Sequence, residues 1–237
     1  MDARERLIFA LDVDGADEAE DLVRLLAGEV GLFKVGLELF VAEGPAVLAR
    51  LRRAGARAIF LDLKLHDIPA TMRAAAKAAA AHGVELMTCH ADQAGIFSGL
   101  DLGRTKLLGV TVLTSLGAED LAAMGYPEDL RDPRALVLRR AGLALAAGCQ
   151  GVVCSGQEAA AVRAILGPQA LVVCPGIRPA DKLGTGADDQ KRIVTPEMAM
   201  AAGASHIVVG RPIRQANDPL LAAREVVEGI RRGLART

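Results

Sequence analysis

The chain has 237 residues, a formal net charge of −1 and an apolar fraction of 51%. That length suits one large domain with ample core, and that composition excludes a disordered chain. The near-zero charge excludes a general nucleic-acid or anionic-membrane binder, because such proteins need a basic excess.

Asp2, Arg4, Glu5 and Arg6 fill the start, and the apolar run behind them ends at Asp12. No secretory signal is therefore expected, and no apolar run is long enough to span a bilayer. Cys89, Cys149, Cys154 and Cys174 lie in or beside apolar runs with no CxxC pair. They read as reduced core thiols of a cytoplasmic protein.

In chain order, the strand candidates are LIFALDV (7–13), LFKVG (32–36), AIFLDLK (58–64) and VELMTCH (84–90). LLGVTVLT (107–114), GVVCS (151–155), LVVCPG (171–176) and HIVVG (206–210) follow. All are nearly continuously apolar, as parallel strands covered on both faces should be. Helix candidates lie between them: PAVLARLRRAG (45–55), ATMRAAAKAAAAHG (70–83), DPRALVLRRAGLALAAG (132–148) and QEAAAVRAILG (157–167), with a last helix over 218–234. The alanines favour helix, Pro69 suits a first turn and Gly83 a stop. About eight strands, each followed by a helix, predict one (β/α)8 TIM barrel over residues 1–237, with a doubly wound open sheet as the rival α/β fold. The longest irregular stretch, 177–197, follows the seventh strand, and a loop that long is usually functional or disordered.

Polar residues gather at the carboxyl ends of these strands. Asp12 ends the first, Lys34 lies on the second, Asp62 and Lys64 interrupt the third, and Thr114 ends the fifth. Arg178 follows the seventh, and the eighth runs into Gly210-Arg211. In a barrel these ends form one rim, where active sites sit. Asp62 and Lys64, two residues apart, share one face of their strand. Each has a plainer reading: an interior ion pair for Asp62 and Lys64, a helix cap for Asp67, a snorkelling side chain for Lys34, a loop turn for Asp12. Gly210 and Arg211, with Pro212 opening a short helix, suit an anion, and Arg178 and Gln190 could close over it from the long loop. The histidines lack metal spacing, and His90 is expected to be the only one at the rim.

The stretch LDLKLHDIPAT (61–71) resembles the D-x-K-x-x-D signature of the orotidine 5′-phosphate decarboxylase family in its bacterial form. ALDVD, FKVGLELF, TVLTS, PGIRP, DDQKR and VVGRP match its other blocks in order. Leu65 and Ala70 stand where family members often have Phe and Asn. The resemblance implies a cytoplasmic, cofactor-free and metal-free decarboxylase of a nucleotide substrate, acting as a homodimer, with no nucleic-acid or membrane partner. Lys64 would be the proton donor in a network with Lys34, Asp62 and Asp67, the last supplied by the partner subunit. Asp12 and Lys34 would hold the ribose hydroxyls, as Thr71 would from across the interface. Asp62, Ile68 and Thr114 would border the substrate, while Gln190, Gly210 and Arg211 would hold phosphate with Arg178 nearby. On the residues alone, a magnesium-dependent sugar-phosphate decarboxylase or synthase, a Schiff-base aldolase and a silent nucleotide sensor stay open.

Overall fold

The computed structural model describes residues 2–179 and 193–236. Eight parallel strands close into a barrel in chain order: β1 Leu7–Leu11, β2 Leu32–Val35, β3 Ile59–Leu65, β4 Leu86–Cys89, β5 Lys106–Val110, β6 Gly151–Val153, β7 Leu171–Cys174 and β8 His206–Val209. The closed order excludes the open-sheet alternative. β1 pairs with both β2 and β8, so no strand edge is left unpaired.

The unbroken hydrophobicity of the strands has two destinations. On β1, Leu7, Phe9 and Leu11 face the surrounding helices, while Ile8 and Ala10 face inward. The inward set, Ile8, Ala10, Leu32, Phe60, Leu86, Leu108, Val173 and Val208, fills the barrel interior. That plug is a packed core rather than a pore, and its upper surface is the floor on which a site can be built.

The helices are α1 Ala16–Leu26, α2 Leu37–Glu43, α3 Ala46–Ala54, α4 Pro69–Ala81, α5 Ala118–Ala123, α6 Pro133–Ala147, α7 Ala159–Leu166, α8 Pro196–Ala201, α9 Arg211–Arg214 and α10 Pro219–Leu234. Local chemistry fixes their starts. Asp132, Thr195 and Asp218 each accept an N–H from the first turn of α6, α8 and α10, and proline opens α4, α6, α8 and α10.

Two expectations need correction. No helix separates β4 from β5 among the described residues; 90–105 is a run of turns, rich in glycine and short of helical periodicity. Strand five ends at Val110 rather than at Thr114, because pairing with β6 stops there. Of the long stretch 177–197, residues 180–192, including Gln190, lie outside the described residues. Its flanks meet in a parallel bridge between Ile177 and Val194.

His206, at the start of β8, is 5% exposed. Burial, with Arg6 and Lys106 adding to it, pushes its imidazole down to about 4 from the usual 6.5. The unfolded chain therefore binds a proton that the fold refuses between those values, so His206 favours folding above pH 6.5 and that contribution fades as pH falls toward 4. The loss is worth roughly 3 kcal/mol. We expect the urea midpoint of the wild type to fall between pH 7 and pH 4.5, and His206→Leu to flatten that fall.

Candidate active site

A cavity of about 300 Å³ opens at the carboxyl ends of the strands. Ala10, Phe60 and Val208, the top of the inner core, line its floor together with Val110 and Val153. Asp12, Lys34, Asp62, Lys64, Thr114, Arg178, Gly210 and Arg211 line it as well. Of the twelve residues singled out by sequence, these eight meet in one cavity.

The charges alternate through space. Lys34 is 8% exposed, and its Nζ donates to Asp12 Oδ1 at 2.8 Å and lies 3.8 Å from Asp62 Oδ2. Lys64 Nζ donates to the same Asp62 Oδ2 at 2.9 Å. One carboxylate oxygen thus serves two ammoniums. Burial raises the Asp62 carboxyl, but Lys34 and Lys64, with hydrogen bonds from Lys64 and Thr88, hold it below its ordinary value. Asp62 is therefore an anion at neutral pH, and its negative charge keeps two cations at close quarters.

The backbone that carries this pair is not a regular strand. Leu61 pairs with Met87 and Leu65 with Cys89, so four steps along β3 match two along β4. The excess forms a bulge over residues 62–64. Lys64 sits in it at φ +51°, the one positive value among the described non-glycine residues. A left-handed residue with a side chain costs about 1–2 kcal/mol, and such strain persists only where surrounding contacts hold it. Thr88 supplies one of them: its hydroxyl accepts the Lys64 N–H at 2.9 Å and donates to Asp62 Oδ1 at 2.8 Å. A buried N–H without that acceptor would cost about 1–3 kcal/mol. The two-residue spacing of Asp62 and Lys64 does bring both to the cavity, through a bulge that alternation alone does not foresee.

Two glycines leave room for these charges. A Cβ at Gly36 would stand 3.0 Å from Lys34 Nζ and 3.3 Å from Asp12 Oδ1. A Cβ at Gly210 would stand 3.2 Å from Ala10 Cβ and 3.6 Å from Asp12 Oδ2. A side chain at Gly36 would crowd the Lys34–Asp12 pair, whereas one at Gly210 would press on Ala10 and only touch Asp12.

Asp67, Ile68 and Thr71 do not line the cavity of their own chain. They are exposed at the entry to α4, with Ile68 at 66%. Asp67 Oδ1 accepts the Ile68 N–H at 2.6 Å, and Ile68, at the cap position of α4, offers no side-chain acceptor. Asp67 thus precedes the cap position and serves only the N–H of the cap residue, so its helix-cap reading holds in part. His90 has company: the His66 ring packs against it, tilted by 43° at a centroid distance of 4.9 Å, and meets Asp92 Oδ2 at 2.8 Å. The expectation of a single rim histidine is corrected, because His66 follows β3 just as His90 follows β4. Burial, then the charge of His66, holds the His90 imidazole below its usual value.

Sequence reasoning missed Gly36, Thr88, Ser115 and Pro175. Thr88 left a signal, as the one hydroxyl in the run LMTC of β4, and it is fully buried. All four cysteines are buried and free. Cys89 and Cys149 approach to 3.8 Å between sulfurs, and the contact and burial raise the Cys89 thiol.

A closed barrel with a lysine–aspartate chain in a cavity at its carboxyl mouth defines the class: a (β/α)8 barrel enzyme with its site at the carboxyl ends of the strands. Residues 5–226 match the family model described as Orotidine 5'-phosphate decarboxylase / HUMPS family, and the chain belongs to that family. It is 49% identical to the orotidine 5'-phosphate decarboxylase of Anaeromyxobacter dehalogenans, across 97% of this chain and all of that one. It is 46% identical to the enzyme of that name from Rhodopseudomonas palustris, over 96% of this chain and 95% of the relative. The crystal structure of orotidine 5'-phosphate decarboxylase from Lactobacillus acidophilus superposes with a TM-score of 0.78 at 34% identity, covering 94% of this chain and 97% of that one.

Proposed function

We propose that this chain decarboxylates orotidine 5′-phosphate to uridine 5′-phosphate and CO2, a step of pyrimidine biosynthesis, with Lys64 as the group that meets the reacting carbon. The observation that carries the reading is the Lys64 ammonium, anchored 2.9 Å from Asp62 at the cavity mouth on a left-handed backbone. Full-length likeness to named decarboxylases supports the same substrate.

The chemistry needs such a cation. The bond from C6 to the carboxylate carbon breaks, CO2 leaves, and the electron pair stays on C6 with little resonance relief. Lys64 faces that developing charge, then passes an Nζ proton to C6 and regains one from solvent. A charge already fixed in place needs no reorganisation as the bond breaks. Asp62 lies beside the departing carboxylate, and Lys34, between Asp12 and Asp62, balances the two. Asp12 and Lys34 hold the ribose hydroxyls, and Thr114 borders the pyrimidine. Gly210, Arg211 and Arg178 hold the phosphate, with Gln190 assigned the same role from outside the described residues. The carboxylates a divalent ion would use, Asp12 and Asp62, each already face an ammonium, which favours this reading over a magnesium-dependent relative.

In this reading the chain is a homodimer, and Asp67, Ile68 and Thr71 complete the site of the partner. Their exposure beside the cavity rim supports it. Mixed Lys64→Ala and Asp67→Ala chains should recover activity that neither variant has alone, because one site of the hybrid dimer is intact. Failure to recover, with exchange of subunits verified, removes the shared site.

Arg211→Ala should cut kcat/KM for orotidine 5′-phosphate by about 10- to 100-fold, the worth of a charge-assisted bond to phosphate. The same change should leave kcat/KM for the phosphate-free nucleoside orotidine nearly unaltered. The function itself is tested by following the ultraviolet absorbance of orotidine 5′-phosphate with a chelator present. Turnover that resists chelation is expected, and an inactive protein or one that needs added metal contradicts the reading.

A further inference from the structure

We propose that Thr88 is a positioning residue that sets both the Asp62 carboxylate and the Lys64 backbone for the decarboxylation assigned above, on which this inference rests. β4 contributes no side chain to the cavity lining, whereas each of the other seven strands, or the residue that follows it, does. What β4 contributes is Thr88, fully buried and outside the lining, so any effect it has passes through its neighbours.

Its hydroxyl is used in both directions. The O–H donates to Asp62 Oδ1 at 2.8 Å, and a lone pair accepts the Lys64 N–H at 2.9 Å. A single hydroxyl has one proton to give and lone pairs to spare, so the two bonds are compatible. The first fixes the rotation of the carboxylate. With Oδ1 taken by Thr88, Oδ2 alone is turned to Lys64 at 2.9 Å and to Lys34 at 3.8 Å. The second replaces the ladder bond that the bulge removes: the pairs Leu61–Met87 and Leu65–Cys89 leave residues 62–64 opposite Thr88 alone. The strained φ of Lys64 and the aim of its ammonium are thus tied to one side chain on the neighbouring strand.

Valine keeps the shape of threonine and deletes the hydroxyl, and serine keeps the hydroxyl and deletes the methyl. Thr88→Val should lower kcat for orotidine 5′-phosphate about 10- to 100-fold while KM barely changes. Thr88→Ser should restore most of it. A donated hydrogen bond favours the ionised carboxylate, so the acid limb of kcat/KM should move to higher pH in Thr88→Val and return in Thr88→Ser. Lys34 and Lys64 face Asp62, and Asp12 faces Lys34 from the other side, so these groups stay constant across the series. Amide hydrogen exchange at Lys64 should be slow in the wild type and in Thr88→Ser, and fast in Thr88→Val. Thr88→Ala takes the place of the valine variant if that chain does not fold. Wild-type kcat in the variant lacking the hydroxyl, or a serine variant as impaired as the valine one, overturns the inference. A wild type that leaves orotidine 5′-phosphate untouched sinks the functional reading instead, and the Lys64 amide then decides the Thr88 clamp by itself.

Discussion

Lys64→Ala is expected to lower kcat by about five orders of magnitude, with uridine 5′-phosphate still bound. Two losses combine. One preorganised donor at a developing anion is worth about 10²–10³ in rate, and a positioned general acid about 10²–10⁴. The side chain also carries little of the fold, since its ammonium is partly exposed and touches one carboxylate. Product affinity should therefore survive, through Asp12, Lys34 and Arg211. Lys64→Arg separates charge from proton transfer, because a guanidinium keeps its protons. It should recover little of the lost rate.

Asp62→Ala is expected to cost about three orders of magnitude in kcat, and Asp62→Asn nearly as much. Deleting one partner of a buried ion pair costs about 3–5 kcal/mol, because the other charge is left uncompensated. Here two ammoniums depend on the one carboxylate, Lys64 at 2.9 Å and Lys34 at 3.8 Å. Lys34 keeps Asp12 at 2.8 Å, whereas no second ion pair reaches Lys64 among the described residues. Lys64 is thus the side chain left without an ion pair from its own chain. Asparagine preserves an acceptor for the Thr88 hydroxyl but removes the charge, so an asparagine variant near wild-type rate would show that geometry alone suffices. The depressed carboxyl of Asp62 makes a further, smaller contribution to stability. It is present above the unfolded value near 3.9 and fades as pH falls through the lower folded value.

The barrel was readable because each strand is an apolar run and each of the five helices picked out ends in glycine or begins with proline; α1, which has no proline at its start and Ala27 at its carboxyl cap, was not among them. The charges were readable for the complementary reason. Lys34, Asp62 and Lys64 interrupt runs that have no other cause to be polar, and Asp12 and Arg211 follow such runs directly. What escaped is geometry that depends on pairing between strands. The bulge at residues 62–64 exists only relative to β4, and the left-handed Lys64 only relative to the bulge. Thr88 was visible as a lone hydroxyl, but its two bonds cross from β4 to β3. The end of β5 was misjudged because Val112 and Leu113 continue the apolar run into the cavity wall after pairing has stopped. His66 escaped because its ring packs against a residue 24 positions away. Asp67, Ile68 and Thr71 lie outside the cavity of their own chain, and only the proposed homodimer gives them a place at a site.

The most direct measurement compares two ligands on two proteins: uridine 5′-phosphate and its analogue with an oxyanion at C6, each titrated into the wild type and into Lys64→Ala. An ammonium held ready for negative charge at C6 should bind the analogue at least about 10³-fold more tightly than the product, as a transition-state mimic. That preference should collapse in Lys64→Ala while product affinity stays close to wild type. An undiminished preference for the oxyanion in the alanine variant would contradict the account, because the charge that meets C6 would then come from some other group.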